Sequence, residues 1–173
     1  MHTKQTIMII GASSERGSFI AKSLSQGNYR LLLNDRDNVR LNELREEIVE
    51  KNSCADVETI DCSFEGCWEA DIIISAISSD EQQEVANRIR EVANQKIVIS
   101  FTDQAEKNEE LQALLPYSKV LTMDACAFSG NIAGRQQIDV LMAGDNEEAL
   151  QTVTELFTPA GFKVMVKQFT PEA

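Results

Sequence analysis

An α/β fold built on a doubly wound, mostly parallel sheet of about eight strands is the class this sequence predicts, and three observations predict it. Short apolar runs alternate along the chain with segments whose apolar residues recur at three- and four-residue spacing. The runs in the middle of the chain are apolar throughout, as strands are when helices cover both faces of a sheet. A glycine closes the first run just before the first helical pattern opens, which is the punctuation of a strand-turn-helix unit.

The first run, residues 6–10, ends at Gly11, and Phe19, Ile20 and Leu24 mark a helix that Gly27 stops. Residues 29–34 form the second strand, after which Leu41, Leu44 and Ile48 recur at helical spacing in a charged segment. A weaker strand over residues 57–60 leads to residues 71–77, the clearest central strand. Val85, Ala86, Ile89, Val92 and Ala93 form the next helical stripe, and residues 96–101 another buried strand. A short helix over residues 106–115 ends at Pro116. Strands follow over residues 119–123 and 138–143 with a loop between them. Ala149, Leu150, Val153, Leu156 and Phe157 lie on one helix face, Pro159 and Gly161 stop that helix, and residues 162–166 form the last strand. No repeat or low-complexity linker interrupts the series, so residues 1–173 read as one domain. The last two strands are expected to pair antiparallel, and right-handed crossovers elsewhere place a ligand crevice at the carboxyl ends of the strands.

Composition removes several classes of function. Sixteen basic against 28 acidic residues give a formal net charge of -12, which repels nucleic acid and anionic membranes in the absence of a basic patch. No stretch approaches the roughly 20 apolar residues of a membrane span, and residues 1–5 lack the apolar segment of a signal peptide, so a cytoplasmic location is expected. Cys54, Cys62, Cys67 and Cys126 match no zinc or redox spacing and read as small apolar residues; no metal is expected. The single histidine is His2, so neither a Ser-His-Asp hydrolase nor a histidine metal site is expected within one chain.

The chemistry-bearing segment is the loop after the first strand. In Gly11-Ala12-Ser13-Ser14-Glu15-Arg16-Gly17 the glycines are six apart, so a strict G-x-G-x-x-G is absent and a looser glycine pattern fits with Ser14 at the middle position. Gly11 permits the tight turn, and Ser13, Ser14, Glu15, Arg16 and Gly17 offer amides and side chains to a pyrophosphate at the positive end of the helix. Replacing Gly17 is expected to weaken binding while leaving the chain folded. Asp35 closes the second strand 24 positions after Gly11, where a carboxylate accepts hydrogen bonds from the adenosine ribose and favours NAD. Arg36 beside it offers a guanidinium to the 2'-phosphate of NADP. Both cofactors remain open on these residues, with a slight lean to NAD.

Residues 6–11, the run Ala70-Asp71-Ile72-Ile73-Ile74-Ser75-Ala76-Ile77, residues 96–100 and residues 143–149 occur in an order that resembles a known family. The chain is similar to NADP-dependent reductases acting on the deazaflavin coenzyme F420, relatives of the N-terminal domains of pyrroline-5-carboxylate reductases and of the reductase domain of STEAP metalloreductases. The resemblance implies a Rossmann-like NAD(P)-binding fold, with Gly11 to Gly17 on the pyrophosphate and Asp35-Arg36 where the family has Ser-Arg for the 2'-phosphate. It also implies that Ala76, Ile77, Ser78 and Thr102 border the ribose and nicotinamide. The sequence departs from the family in its longer loop, in Asp35, in Ser78-Ser79 where proline is usual, and in Thr102-Asp103-Gln104 where an Asn-Pro turn is usual.

The leading expectation is therefore an NAD(P)H-dependent oxidoreductase that passes a hydride between the nicotinamide and a small-molecule acceptor, with the cofactor rather than a side chain supplying the chemistry. Asp103, Asp124, Ser129 and Asn131 lie near predicted strand ends or in the loop beyond, where each reads first as a cap or turn residue and second as a contact to an acceptor; none is assigned a catalytic role. The alternative is a dinucleotide-binding sensor or cofactor module without turnover. An ordered wall over residues 118–137 facing the cofactor favours the enzyme. Self-association into a homo-oligomer is compatible with either.

Overall fold

The computed structural model describes residues 4–102, 107–124 and 138–167. Within them the chain runs β1 (Gln5–Ile10), α1 (Glu15–Leu24), β2 (Tyr29–Asn34), α2 (Asn38–Lys51), β3 (Asp56–Thr59), α3 (Ser63–Glu69) and β4 (Ile72–Ser75). It continues α4 (Ser79–Ile89), β5 (Ile97–Thr102), α5 (Lys107–Leu114), β6 (Lys119–Asp124), β7 (Ile138–Ala143), α6 (Glu147–Phe157) and β8 (Phe162–Val166). All eight strands join one sheet in the order β3-β2-β1-β4-β5-β6-β7-β8.

The strands from β3 to β6 are parallel, β7 lies antiparallel to β6, and β8 lies parallel to β7. The expected antiparallel pairing of the last two strands is thus corrected. Because α6 intervenes between β7 and β8, it returns the chain to the starting edge and β8 runs the same way as β7; the reversal falls one step earlier.

Alternation along the strands divides the apolar residues between two cores. On β1, Ile7 and Ile9 belong to the core shared with Ile20 and Leu24 of α1, Leu41 and Leu44 of α2, and Val153 and Phe157 of α6. Met8 and Ile10 face the other core, with Cys67 of α3, Val85 and Ile89 of α4, and Leu111 of α5. Helices therefore cover both faces, as the unbroken apolar runs require. The rings of Phe157 and Phe162 meet edge to face at 5.1 Å, and Phe19 of α1 meets Phe162 at 5.9 Å, which anchors β8 to the first core.

The sequence reading lacks α3, whose large apolar residues Phe64 and Trp68 are exposed while Ser63, Gly66 and Cys67 are buried. Such a helix has no apolar stripe to detect. Its last carbonyls, those of Cys67 and Trp68, accept from the Lys96 ammonium at the start of β5. Burial pushes the Cys67 thiol up to about 12, so this cysteine fits its apolar reading; Cys54 and Cys62 are exposed and do not. Among the described residues no helix is long and apolar enough to cross a membrane.

Candidate functional site

The order of the sheet reverses at β1, which pairs with β2 on one side and β4 on the other. Ile10 stands opposite Asn34 of β2 and Ser75 of β4, so Gly11, Asp35 and Ala76 leave the sheet at one level on its carboxyl edge. A switch of this kind opens a crevice between the diverging loops.

Gly11 adopts φ +75°, and a Cβ there would lie 2.8 Å from the Ala76 carbonyl oxygen, so only glycine suits the position. The amides of Gly11 and Ala12 both donate to the Asn34 carbonyl, at 2.9 and 3.1 Å, which fastens the turn to the end of β2. Ser14 caps α1: its Oγ donates to the Gly11 carbonyl at 2.7 Å and accepts from the Gly17 amide at 3.1 Å. Ser14 is a strut across the loop. Gly17 is buried against the Gly11 carbonyl, and a Cβ on it would also come within 2.9 Å of Ala12 Cα. The glycine lets the helix pack closely on the turn, so a side chain there would strain the fold as well as the loop. The amides of Glu15 and Arg16, the first two of α1, have no acceptor among the described residues.

Asp35 is half-buried and turned toward the glycine loop. Its Oδ2 accepts from the Ser13 amide at 3.0 Å and from the Ser13 hydroxyl at 2.6 Å; its Oδ1 accepts from the Arg36 amide at 2.7 Å, with the Asp37 amide at 3.4 Å. A carboxylate has about four acceptor positions, and all four are engaged. The sequence places Asp35 on a ribose, whereas in the free chain it clasps the β1–α1 loop to the β2–α2 turn.

The third wall is the β4–α4 turn. Ala76 is buried and Ile77 half-buried against Gly11, and the Gln82 side chain straps the turn by accepting from Ser75 Oγ at 2.9 Å and donating to the Ile77 carbonyl at 3.3 Å. Ser78 precedes α4, and its hydroxyl donates to Glu81 Oε2 at 3.3 Å. The other oxygen of Glu81 pairs with Arg36 Nη1 at 3.0 Å, across the mouth of the crevice. Glu84 lies 3.8 Å from the same guanidinium and pairs with Arg88 at 2.9 Å.

Beside these loops, and walled also by α3 and α4, lies an open cleft of about 130 Å³, and Gly11, Asp35, Arg36 and Ile77 of the sequence-read residues line it. Ser13, Ser14, Gly17, Ala76 and Ser78 shape the loops around it, and Glu15 and Arg16 begin the helix beside it. Thr102 ends β5 opposite Asp124 of β6, farther along the same edge. Asp103, Ser129 and Asn131 lie outside the described residues, as does the predicted wall beyond residue 124. The sequence reading missed Ile10, Asn34, Ser63, Glu81, Val85 and Arg88 in the lining. A signal for three of them exists: Ser78 and Glu81 have the spacing of a capping box, and Val85 and Arg88 follow at four and seven residues on the same helix face. Among the described residues no group of histidine, cysteine or carboxylate side chains is arranged to hold a metal ion.

Residues 6–104 match the sequence profile of a family described as NADP oxidoreductase, coenzyme F420-dependent. Comparison with curated proteins finds no match. Among solved structures, a protein of Arthrobacter sp. FB24 assigned as an F420-dependent NADP reductase is 15% identical, with a TM-score of 0.69 over 92% of this chain and 84% of its own. Pyrroline carboxylate reductase of Plasmodium falciparum, solved with NADP bound, is 14% identical with a TM-score of 0.67, over 95% of this chain and 58% of the reductase. An NAD+-dependent dismutase, 5-formyl-3-hydroxy-2-methylpyridine 4-carboxylic acid 5-dehydrogenase, is 20% identical with a TM-score of 0.73, over 96% of this chain and 58% of the enzyme. The chain thus spans somewhat more than half the length of the latter two.

Proposed function

The chain belongs to the family of coenzyme F420-dependent NADP oxidoreductases, and from that premise we propose that it binds a nicotinamide dinucleotide in the cleft at the ends of β1, β2 and β4 and is an oxidoreductase. One observation carries the reading: every residue that lines the cleft, from Ile10 to Arg88, falls within the matched span of residues 6–104. The residues present suit such a ligand. The acceptor-free amides of Glu15 and Arg16 would hold the pyrophosphate at the start of α1, and Gly11 leaves room for it to approach the backbone. Arg36 would border the adenosine ribose, and Ala76, Ile77, Ser78 and Thr102 the path toward the nicotinamide.

When bound, the dinucleotide supplies the hydride. The protein's part is to fix the pyrophosphate, orient the ring through the β4–α4 turn and keep water from it with Ile77. No acid or base of the chain is assigned a proton. The acceptor is a small molecule, and a deazaflavin is the first to try because of the family. Among the two nicotinamide forms the reading favours NAD, since Arg36 is already neutralised by Glu81 and Glu84.

Calorimetric titration with NADH and NADPH, followed by an assay for reduction of F420 by absorbance, tests this. The expected result is saturable one-to-one binding of NADH in the range of about 1 μM to 1 mM, weaker binding of NADPH, and turnover of an acceptor. Binding without turnover of any acceptor would identify a cofactor module instead. Failure of both dinucleotides to bind at millimolar concentration would overturn the proposal.

A further inference from the structure

Arg36 lines the cleft beside Asp35 at the end of β2, yet its guanidinium faces a carboxylate of its own chain. We propose that Glu81 occupies Arg36 in the place of that phosphate, and so acts as the residue that sets the chain against NADP. The proposal rests on the dinucleotide reading above and names the specificity of that same site.

Three features support it. First, Glu81 lines the cleft and is fixed at both oxygens: Oε2 accepts from Ser78 Oγ at 3.3 Å, while Oε1 meets Arg36 Nη1 at 3.0 Å. A surface carboxylate reaching out at random has no such second anchor. Second, the pair joins different parts of the site, the turn after β2 and the first turn of α4, although the Arg36 side chain is 74% exposed. Third, the local charge does not compensate for an incoming anion. Arg36 and Arg88 stand against Asp35, Glu81 and Glu84, two positive charges against three negative, and Arg88 is itself held by Glu84 at 2.9 Å.

A 2'-phosphate brings between one and two further negative charges and must displace Glu81 to reach the guanidinium. A 2'-hydroxyl brings none and can lie beside the intact pair. Discrimination therefore comes from a repulsive element as well as from an occupied cation. Asp35 adds to the field, but its oxygens are turned to Ser13 and to the amides of its own turn.

The test is Glu81→Gln, which removes the charge and keeps an oxygen for Ser78, with NADPH, NADH, 2',5'-ADP and 5'-AMP titrated against it and the unaltered chain. The affinity ratios of NADPH to NADH and of 2',5'-ADP to 5'-AMP are expected to rise about tenfold in the variant. Arg36→Gln provides the second arm without touching the start of α4. In that background Glu81→Gln should no longer give the gain, because the guanidinium that the phosphate would use is gone. If the unaltered chain binds NADH and Glu81→Gln leaves the NADPH-to-NADH ratio where it was, this inference fails and the dinucleotide reading stands. If neither dinucleotide binds to either form, the dinucleotide reading fails and takes this inference with it. A gain that survives in the Arg36→Gln background would also overturn it.

Discussion

Gly17→Val is expected to lower the stability of the folded chain by about 3 kcal/mol, measured by denaturant unfolding, and to abolish dinucleotide binding as a consequence. Two effects oppose each other. A residue with a side chain gains a few tenths to about 1 kcal/mol over glycine in helix propensity. Against that, the first atom of the side chain would collide with the Gly11 carbonyl and the Ala12 backbone, neither of which is a flexible side-chain end that can swing aside. The turn would have to move, and with it the bonds from Gly11 and Ala12 to Asn34 and the Ser14 cap. The collision therefore wins. A variant with stability within about 0.5 kcal/mol of the parent, having lost only ligand affinity, would show that Gly17 faces the ligand.

Asp35→Ala is expected to weaken both NADH and NADPH, NADPH somewhat less because one negative charge leaves the cleft, and to cost about 1–3 kcal/mol of stability, the range for leaving partly buried donors unpaired. The cause is that the carboxylate gathers the Ser13 amide, the Ser13 hydroxyl and the Arg36 amide, so its removal releases the glycine loop from the turn after β2. Parallel titrations and an unfolding curve check this. If Asp35 instead turns to the ribose on binding, the two cofactors part company: NADH weakens and NADPH gains. That result would restore the role its position in the sequence suggests.

The contrast at Asp35 shows what a sequence of this kind discloses. Its place after the second apolar run, 24 residues beyond Gly11, follows from the strand-turn-helix rhythm, and the register of Ile10 with Asn34 and Ser75 realises it. The partner of its carboxylate does not follow, because Ser13 offers the same hydroxyl to a ligand or to a neighbour and only the packing of the loop decides. The strands were legible because continuous apolar runs leave few alternatives for residues covered on both faces. Helix α3 was not, since Gly66 and Cys67 are the residues it buries while Phe64 and Trp68 face outward. The pairing of β8 with β7 escaped for a different reason: direction depends on the crossover through α6, not on the composition of either strand. Glu81 was half legible. The spacing from Ser78 announces a helix start, but its contact with Arg36 joins residues 45 apart in the chain.

The central claim is that a nicotinamide dinucleotide occupies the cleft at the ends of β1, β2 and β4, and amide chemical-shift mapping of the isotopically labelled chain during titration with NADH tests it most directly. The account predicts that the largest changes fall on Glu15 and Arg16, whose amides lack acceptors, and on Gly11, Arg36 and Ile77 around the cleft. β7, α6 and β8 should be little affected. Saturating NADH that leaves those five amides unmoved, or that shifts chiefly residues of β7 and β8, would contradict it.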